Sequence, residues 1–93
     1  MSEENVIFIG KKSAMSYVMA CFTVIQSGMD KIIIKSRGRS ISKAVDVLEI
    51  LKNRFIKDKI KNVKITTGTD TIDSSDRGSF NVSTLEIEVS LKK

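Results

Sequence analysis

Apolar and polar residues repeat along this chain with two different periods, and the change of period divides it into elements. Val6-Ile7-Phe8-Ile9 is an unbroken run of strand formers, short enough to predict a strand buried on both faces. Gly10 ends it. From Ser13 to Ser27 the apolar positions Ala14, Met15, Val18, Cys21, Phe22 and Ile25 recur at spacings of three and four, which predicts an amphipathic helix. Gly28 is its natural C-terminal stop. Lys31 to Lys35 holds three isoleucines between lysines and predicts a second strand. Ser40 or Ser42 is placed to cap a second helix, which runs to about Arg54. Its core stripe reads Ile41, Ala44, Val45, Leu48, Leu51 and Phe55, with a shorter second stripe of Val47, Ile50 and Arg54.

The last third loses the helical period. Ile60 to Asp73 and Ser79 to Leu91 are rich in Thr, Val and Ile and flank a polar turn, Ser74-Ser75-Asp76-Arg77-Gly78. This predicts one long β-hairpin. Near its end Leu85, Ile87, Val89 and Leu91 face one side while Glu86 and Glu88 face the other. Around the turn the apolar signal fades to Ile72 and Phe80. Strands of about 13 residues reach roughly 40 Å at about 3.3 Å per residue, so the base belongs to the sheet and the tip projects into solvent. Strand–helix–strand–helix order followed by a hairpin predicts a two-layer α/β domain whose first two strands are parallel.

Composition narrows what such a domain does. Ninety-three residues make a single domain spanning 1–93. Sixteen Lys and Arg against eleven Asp and Glu give a net charge of +5, a balance that favours polyanions without specifying one. Histidine is absent, which removes the usual acid–base group near neutral pH and the commonest zinc ligand. The one cysteine, Cys21, sits in an apolar helical run and reads as a small core residue in a reducing, intracellular compartment. The longest apolar stretch, near Met15 to Ile25, is broken by Ser16, Tyr17 and Thr23 and is too short to span a bilayer. The polar start Ser2-Glu3-Glu4-Asn5 is unlike a signal peptide. No membrane partner, metal or cofactor is expected.

The strongest chemical signal is Lys35-Ser-Arg37-Gly38-Arg39-Ser40-Ile-Ser-Lys43, four cations around a glycine at a strand-to-helix turn. Such a turn presents free backbone N–H groups and the positive end of a helix dipole, which suits phosphate. Gly10-Lys11-Lys12-Ser13 repeats the logic at the first strand-to-helix turn. Both turns belong at the carboxyl ends of parallel strands, so distant segments converge on one edge. The plain alternative is a pair of solvated, ordinarily charged loops. Asp70, Asp73 and Asp76 read as turn residues rather than a metal site, since they lack the calcium-loop pattern. Gly10-Lys11-Lys12-Ser13 lacks the first glycine of a nucleotide phosphate loop. No Ser–His pair or other catalytic constellation can be drawn. Phe55 closes the core stripe, and either core packing or a self-association contact fits it. The chemistry leaves three readings: a DNA-binding protein, an RNA-binding subunit of a ribonucleoprotein, and a small phosphate-ligand enzyme or regulator.

Several segments together resemble the Alba family of archaeal chromatin proteins over nearly the whole length. They are residues 5–12 (Asn-Val-Ile-Phe-Ile-Gly-Lys-Lys), Tyr17-Val18, residues 33–46 from Ile33 through the basic turn to Asp46, Asn53-Arg54-Phe55, and residues 82–87. The resemblance implies a βαβαββ, α+β two-layer sandwich with a mixed sheet and two helices on one face. Its long C-terminal hairpin would make it like the C-terminal domain of translation initiation factor 3. It implies a homodimer that binds double-stranded DNA with little sequence preference, compacts or coats it, and often binds RNA. By the same resemblance Lys11 and Lys12 lie on the central surface of the dimer. Arg37, Gly38 and Arg39 form the basic loop, joined by Ser40 and Lys43, and Arg77 approaches the groove from the hairpin arm. Arg54 and Phe55 map to contacts between dimers along DNA. Lys11 maps to an acetylated lysine and so implies a deacetylase partner; the location implied is cytoplasmic and chromosome-associated. Ser13 stands where the family commonly has proline, and the tip is more acidic than a DNA-reading arm prefers.

Overall fold

The alternation of Ile32, Ile34 and Ser36 with Lys31, Ile33, Lys35 and Arg37 gives the central strand one apolar face and one mixed face, and the rest of the molecule is arranged on that division. A computed structural model describes residues 5–76 and 78–92. In chain order the elements are β1 (Val6–Phe8), α1 (Ala14–Gln26), β2 (Lys31–Arg37), a 3₁₀ turn (Gly38–Ser40), α2 (Ile41–Ile50), β3 (Ile60–Ser74) and β4 (Gly78–Leu91). The second helix continues through a π-helical turn, Leu51–Phe55, in which the Ile56 N–H donates to Leu51 O at 3.0 Å.

The four strands form one mixed sheet in the order β1-β2-β4-β3. β1 and β2 are parallel, while β4 runs antiparallel to both β2 and β3. α1 and α2 cover one face. Val18 and Cys21 of α1, and Ala44, Val47, Leu48 and Leu51 of the second helix, pack on Ile32, Ile34, Leu85, Ile87, Val89 and Leu91. Each fully buried isoleucine contributes about 1.5–3 kcal/mol of hydrophobic stabilisation. Burial pushes the Cys21 thiol up to about 12, as suits a core residue with no thiolate chemistry.

Three expectations are corrected here. β1 is an edge strand rather than one buried on both faces: Phe8 pairs in register with Lys35 on the helix-free face and is 65% exposed. On the second helix the buried line is Ala44, Val47, Leu48 and Leu51, while Val45 is 42% exposed. The sequence stripe was centred about one residue too far round, since Val47 is fully buried. Neither Ser40 nor Ser42 caps that helix, since no side chain accepts a hydrogen bond at the start of the 3₁₀ turn or of α2.

The hairpin is as long as the pattern predicts. β4 is paired with β2 as far as Arg37↔Thr84. Beyond that point Thr69–Ser74 and Gly78–Ser83 continue as a two-stranded ribbon. This arm stretches the molecule to 47 × 22 × 22 Å. A bare two-stranded ribbon is marginal in water. Here Ile72 lies opposite Phe80 on one side, and on the other Thr71 bonds Asn81 and Ser79 donates to Asp73. Asp73 thus serves the hairpin itself.

Candidate nucleic-acid interface

β1 and β2 both end at the same edge, and each delivers a basic turn there. The closeness of the two turns is fixed by one side chain. Lys43, in the first turn of α2, donates from Nζ to Gly10 O at 2.9 Å and to Lys12 O at 2.8 Å. The loop carrying Lys11 and Lys12 therefore lies against the helix that follows Arg37, Gly38 and Arg39. Because β4 runs antiparallel to β2, the arm also extends past this edge, in the direction in which β2 ends. Two cationic turns and the ribbon thus share one end of the molecule.

The two turns differ in what their backbones offer. In the first, the Tyr17 hydroxyl accepts from Gly10 N–H at 2.9 Å and Lys12 N–H at 3.1 Å. Ser13 caps α1 by accepting from Ser16 N–H. The expectation of free amides at this turn is corrected: those of Gly10 and Lys12 are spent on Tyr17. What the turn presents is the exposed side chains of Lys11 and Lys12. The second turn keeps the other half of the expectation. Gly38 adopts φ 57°, a left-handed conformation that L side chains rarely take, and so turns the chain sharply from β2 into the 3₁₀ turn. With no side-chain cap there, the orphan N–H groups of this helix start remain for an external acceptor. Arg37, Gly38 and Arg39 are exposed and Ser40 is half-buried.

Lys43 is placed at the predicted site, but two of its three donors serve backbone carbonyls, leaving one for a ligand. Ser36 is buried with its hydroxyl 3.4 Å from Leu85 O, and the strand alternation then sends Lys35 and Arg37 to the helix-free face. There Lys35 lies 3.6 Å from Glu86 and 6.0 Å from the Phe8 ring centroid. Arg37 borders a shallow groove with Phe8, Lys35, Asp70, Thr84 and Glu86. The carboxylates of Asp70 and Glu86 temper the positive charge on that side. Arg77 lies outside the described residues.

Arg54 and Phe55 sit apart from this edge, in the π-helical turn at the other end of the second helix. Arg54 is exposed. Phe55 is half-buried against Phe22, with ring centroids 5.3 Å apart and planes tilted by 52°. Among the described residues no group of three or more His, Cys, Asp or Glu could hold a metal ion. No helix of the described residues is long and apolar enough to cross a membrane.

Tyr17 is the site residue that sequence reasoning missed. Its side chain read as an interruption in an apolar run and, with Val18, as part of the resemblance, but nothing in the spacing reveals that its hydroxyl reaches back to Gly10.

Comparison with known proteins bears on the family and the fold. The family model described as Alba matches residues 5–69. Two relatives called DNA/RNA-binding protein Alba, from Thermoplasma volcanium and Thermoplasma acidophilum, are each 51% identical over 90 residues, which is 97% of this chain and 99% of the relative. The solved structure of Alba from Thermoplasma volcanium matches with a TM-score of 0.81 and 48% identity, over 92% of this chain and 99% of that one. ALBA1 from Trypanosoma brucei matches with a TM-score of 0.73 at 21% identity, over 100% of this chain and 74% of that one, a likeness of fold alone.

Proposed function

Since the chain belongs to the Alba family, we propose that it is a homodimeric architectural protein that binds double-stranded DNA with little sequence preference, coats or compacts it, and binds RNA as well. Membership also makes it a binding protein rather than an enzyme. The observation that carries the proposal is the pair of Lys43 bonds to Gly10 O and Lys12 O, which hold two cationic turns on one edge beside the arm. Lysine point charges and arginine forks suit phosphate oxygens. Contacts of this kind fix position on a duplex and carry no sequence information. The relatives' names include both DNA and RNA, so a role as an RNA-binding subunit of a ribonucleoprotein is the second reading.

A dimer covering about six phosphates should bind duplex DNA with a log–log salt slope of about −5, at about −0.9 per phosphate. A fluorescence titration over salt measures it, and a slope near zero would defeat the electrostatic account. Competition between duplex DNA and duplex RNA at matched salt then separates the two readings, since A-form grooves and 2′-hydroxyls change the contacts. A chromosome-associated place in the cytoplasm follows from the first. Lys11 is exposed and open to acetylation, which would remove one cation from the edge and call for a deacetylase to restore it.

Contacts between neighbouring dimers fall to Arg54 and Phe55. The Phe55 ring already packs against Phe22, so Phe55→Ala should lower thermal stability, with about 0.5–1.5 kcal/mol lost from the ring pair beyond area burial. The dimer should survive while the binding isotherm on long DNA loses its cooperative rise. Unchanged cooperativity in a folded variant would remove Phe55 from that role.

A further inference from the structure

The structure assigns Tyr17 and Lys43 a joint positioning role: they clasp the Lys11–Lys12 loop from both sides and present it in one conformation to a polyanion. The four hydrogen bonds involved all go to backbone atoms of the same two residues. The Tyr17 hydroxyl accepts the N–H groups of Gly10 and Lys12, and the Lys43 ammonium donates to the C=O groups of Gly10 and Lys12. Each of these residues therefore has both its main-chain donor and its main-chain acceptor held by side chains from two different helices.

Gly10 is part of the device. A Cβ there would lie 3.2 Å from the Tyr17 oxygen, tighter than ordinary contact, so the absence of a side chain lets the phenol reach the amide. Loops of this kind otherwise sample many conformations, and ordering two lysines on binding costs affinity. The clasp meets that cost during folding. It also gives Lys43 a purpose distinct from charge. An ammonium in the first turn of a helix opposes the helix dipole; here the two carbonyl oxygens offset that penalty.

The inference rests on the proposed binding of nucleic acid only for its effect on affinity. The clasp itself can be read without a ligand, from amide hydrogen exchange. In the wild-type dimer the Gly10 and Lys12 amides should be protected. Tyr17→Phe keeps the ring and the charge and removes only the acceptor. Both amides should then exchange at least about tenfold faster while those of Ile34 and Ile87 keep their protection. The same variant should bind a 20-base-pair duplex about tenfold more weakly with its salt slope unchanged, because no cation is lost. Gly10→Ala should reproduce both effects by pushing the hydroxyl away. Lys43→Met should weaken binding too, and combined with Tyr17→Phe the losses should be less than additive, since both hold one loop. Rapid exchange of Gly10 and Lys12 in the wild type, or wild-type affinity in a folded Tyr17→Phe protein, overturns the clasp. A wild type that binds no duplex overturns the proposed function instead, and the exchange data still decide the clasp.

Discussion

Replacing Lys11 and Lys12 together with alanine should weaken binding to every duplex by a similar factor and flatten the salt dependence. In a dimer the change removes four cations. If each neutralises one of about six phosphates, the log–log slope falls from about −5 to about −2. At about 0.1 M salt, four fewer released counterions are worth roughly 3.6 log units, so the loss is about four-thousandfold. The fold should be untouched. Both side chains are exposed, and the bonds to Tyr17 and Lys43 use only main-chain atoms, which alanine retains. Circular dichroism and thermal melting should therefore match the wild type. Loss on one DNA sequence and not another would mean base readout, and an unchanged slope would mean that the phosphates are met elsewhere.

What the sequence made legible was whatever repeats locally. Leu85, Ile87, Val89 and Leu91 alternate with Glu86, Glu88 and Ser90, so their burial follows from strand geometry alone. The hairpin, with β3 and β4 of 15 and 14 residues, followed from the loss of helical period and the polar turn. The basic turns were visible as clusters, and the strand order of parallel β1 and β2 put them on one edge. What stayed hidden depends on which element lies beside which. Val6-Ile7-Phe8-Ile9 gives no alternation, so nothing in it tells an edge strand from a central one, and Phe8 was misplaced. Val45 and Val47 lie two residues apart on one helix, and only the tertiary packing decides that Val47 is buried and Val45 exposed. Lys43 looked like another phosphate-binding cation, since its partners Gly10 and Lys12 are 33 and 31 residues away.

A single charge at the uncovered edge of the helical layer should dissociate the proposed dimer. Ile65 sits opposite the fully buried Ile87 on the helix side of the sheet, yet it is 56% exposed. The reason is its place on β3, the outermost strand, beyond the reach of the helices. On α2, Lys43 points toward the β1–α1 loop, so the flank carrying Ile41 and Val45 points the other way. We propose that Val45 and Ile65, both exposed, belong to one apolar strip that a second copy of the chain covers. Val45→Glu and Ile65→Asp each alter an already exposed side chain, so the protomer should still fold. A buried, unpaired carboxylate in the dimer, by contrast, costs several kcal/mol. Sedimentation should find monomers, and the salt slope on duplex DNA should fall to about half, near −2.7, because one protomer covers half the phosphates. Met19→Glu is the control: Met19 is 46% exposed on α1, outside the strip bordered by α2 and β3, and its replacement should leave the dimer whole. Dimers that persist in both Val45→Glu and Ile65→Asp would rule this strip out as the contact. A wild type that sediments as a monomer at every concentration would rule out the dimer.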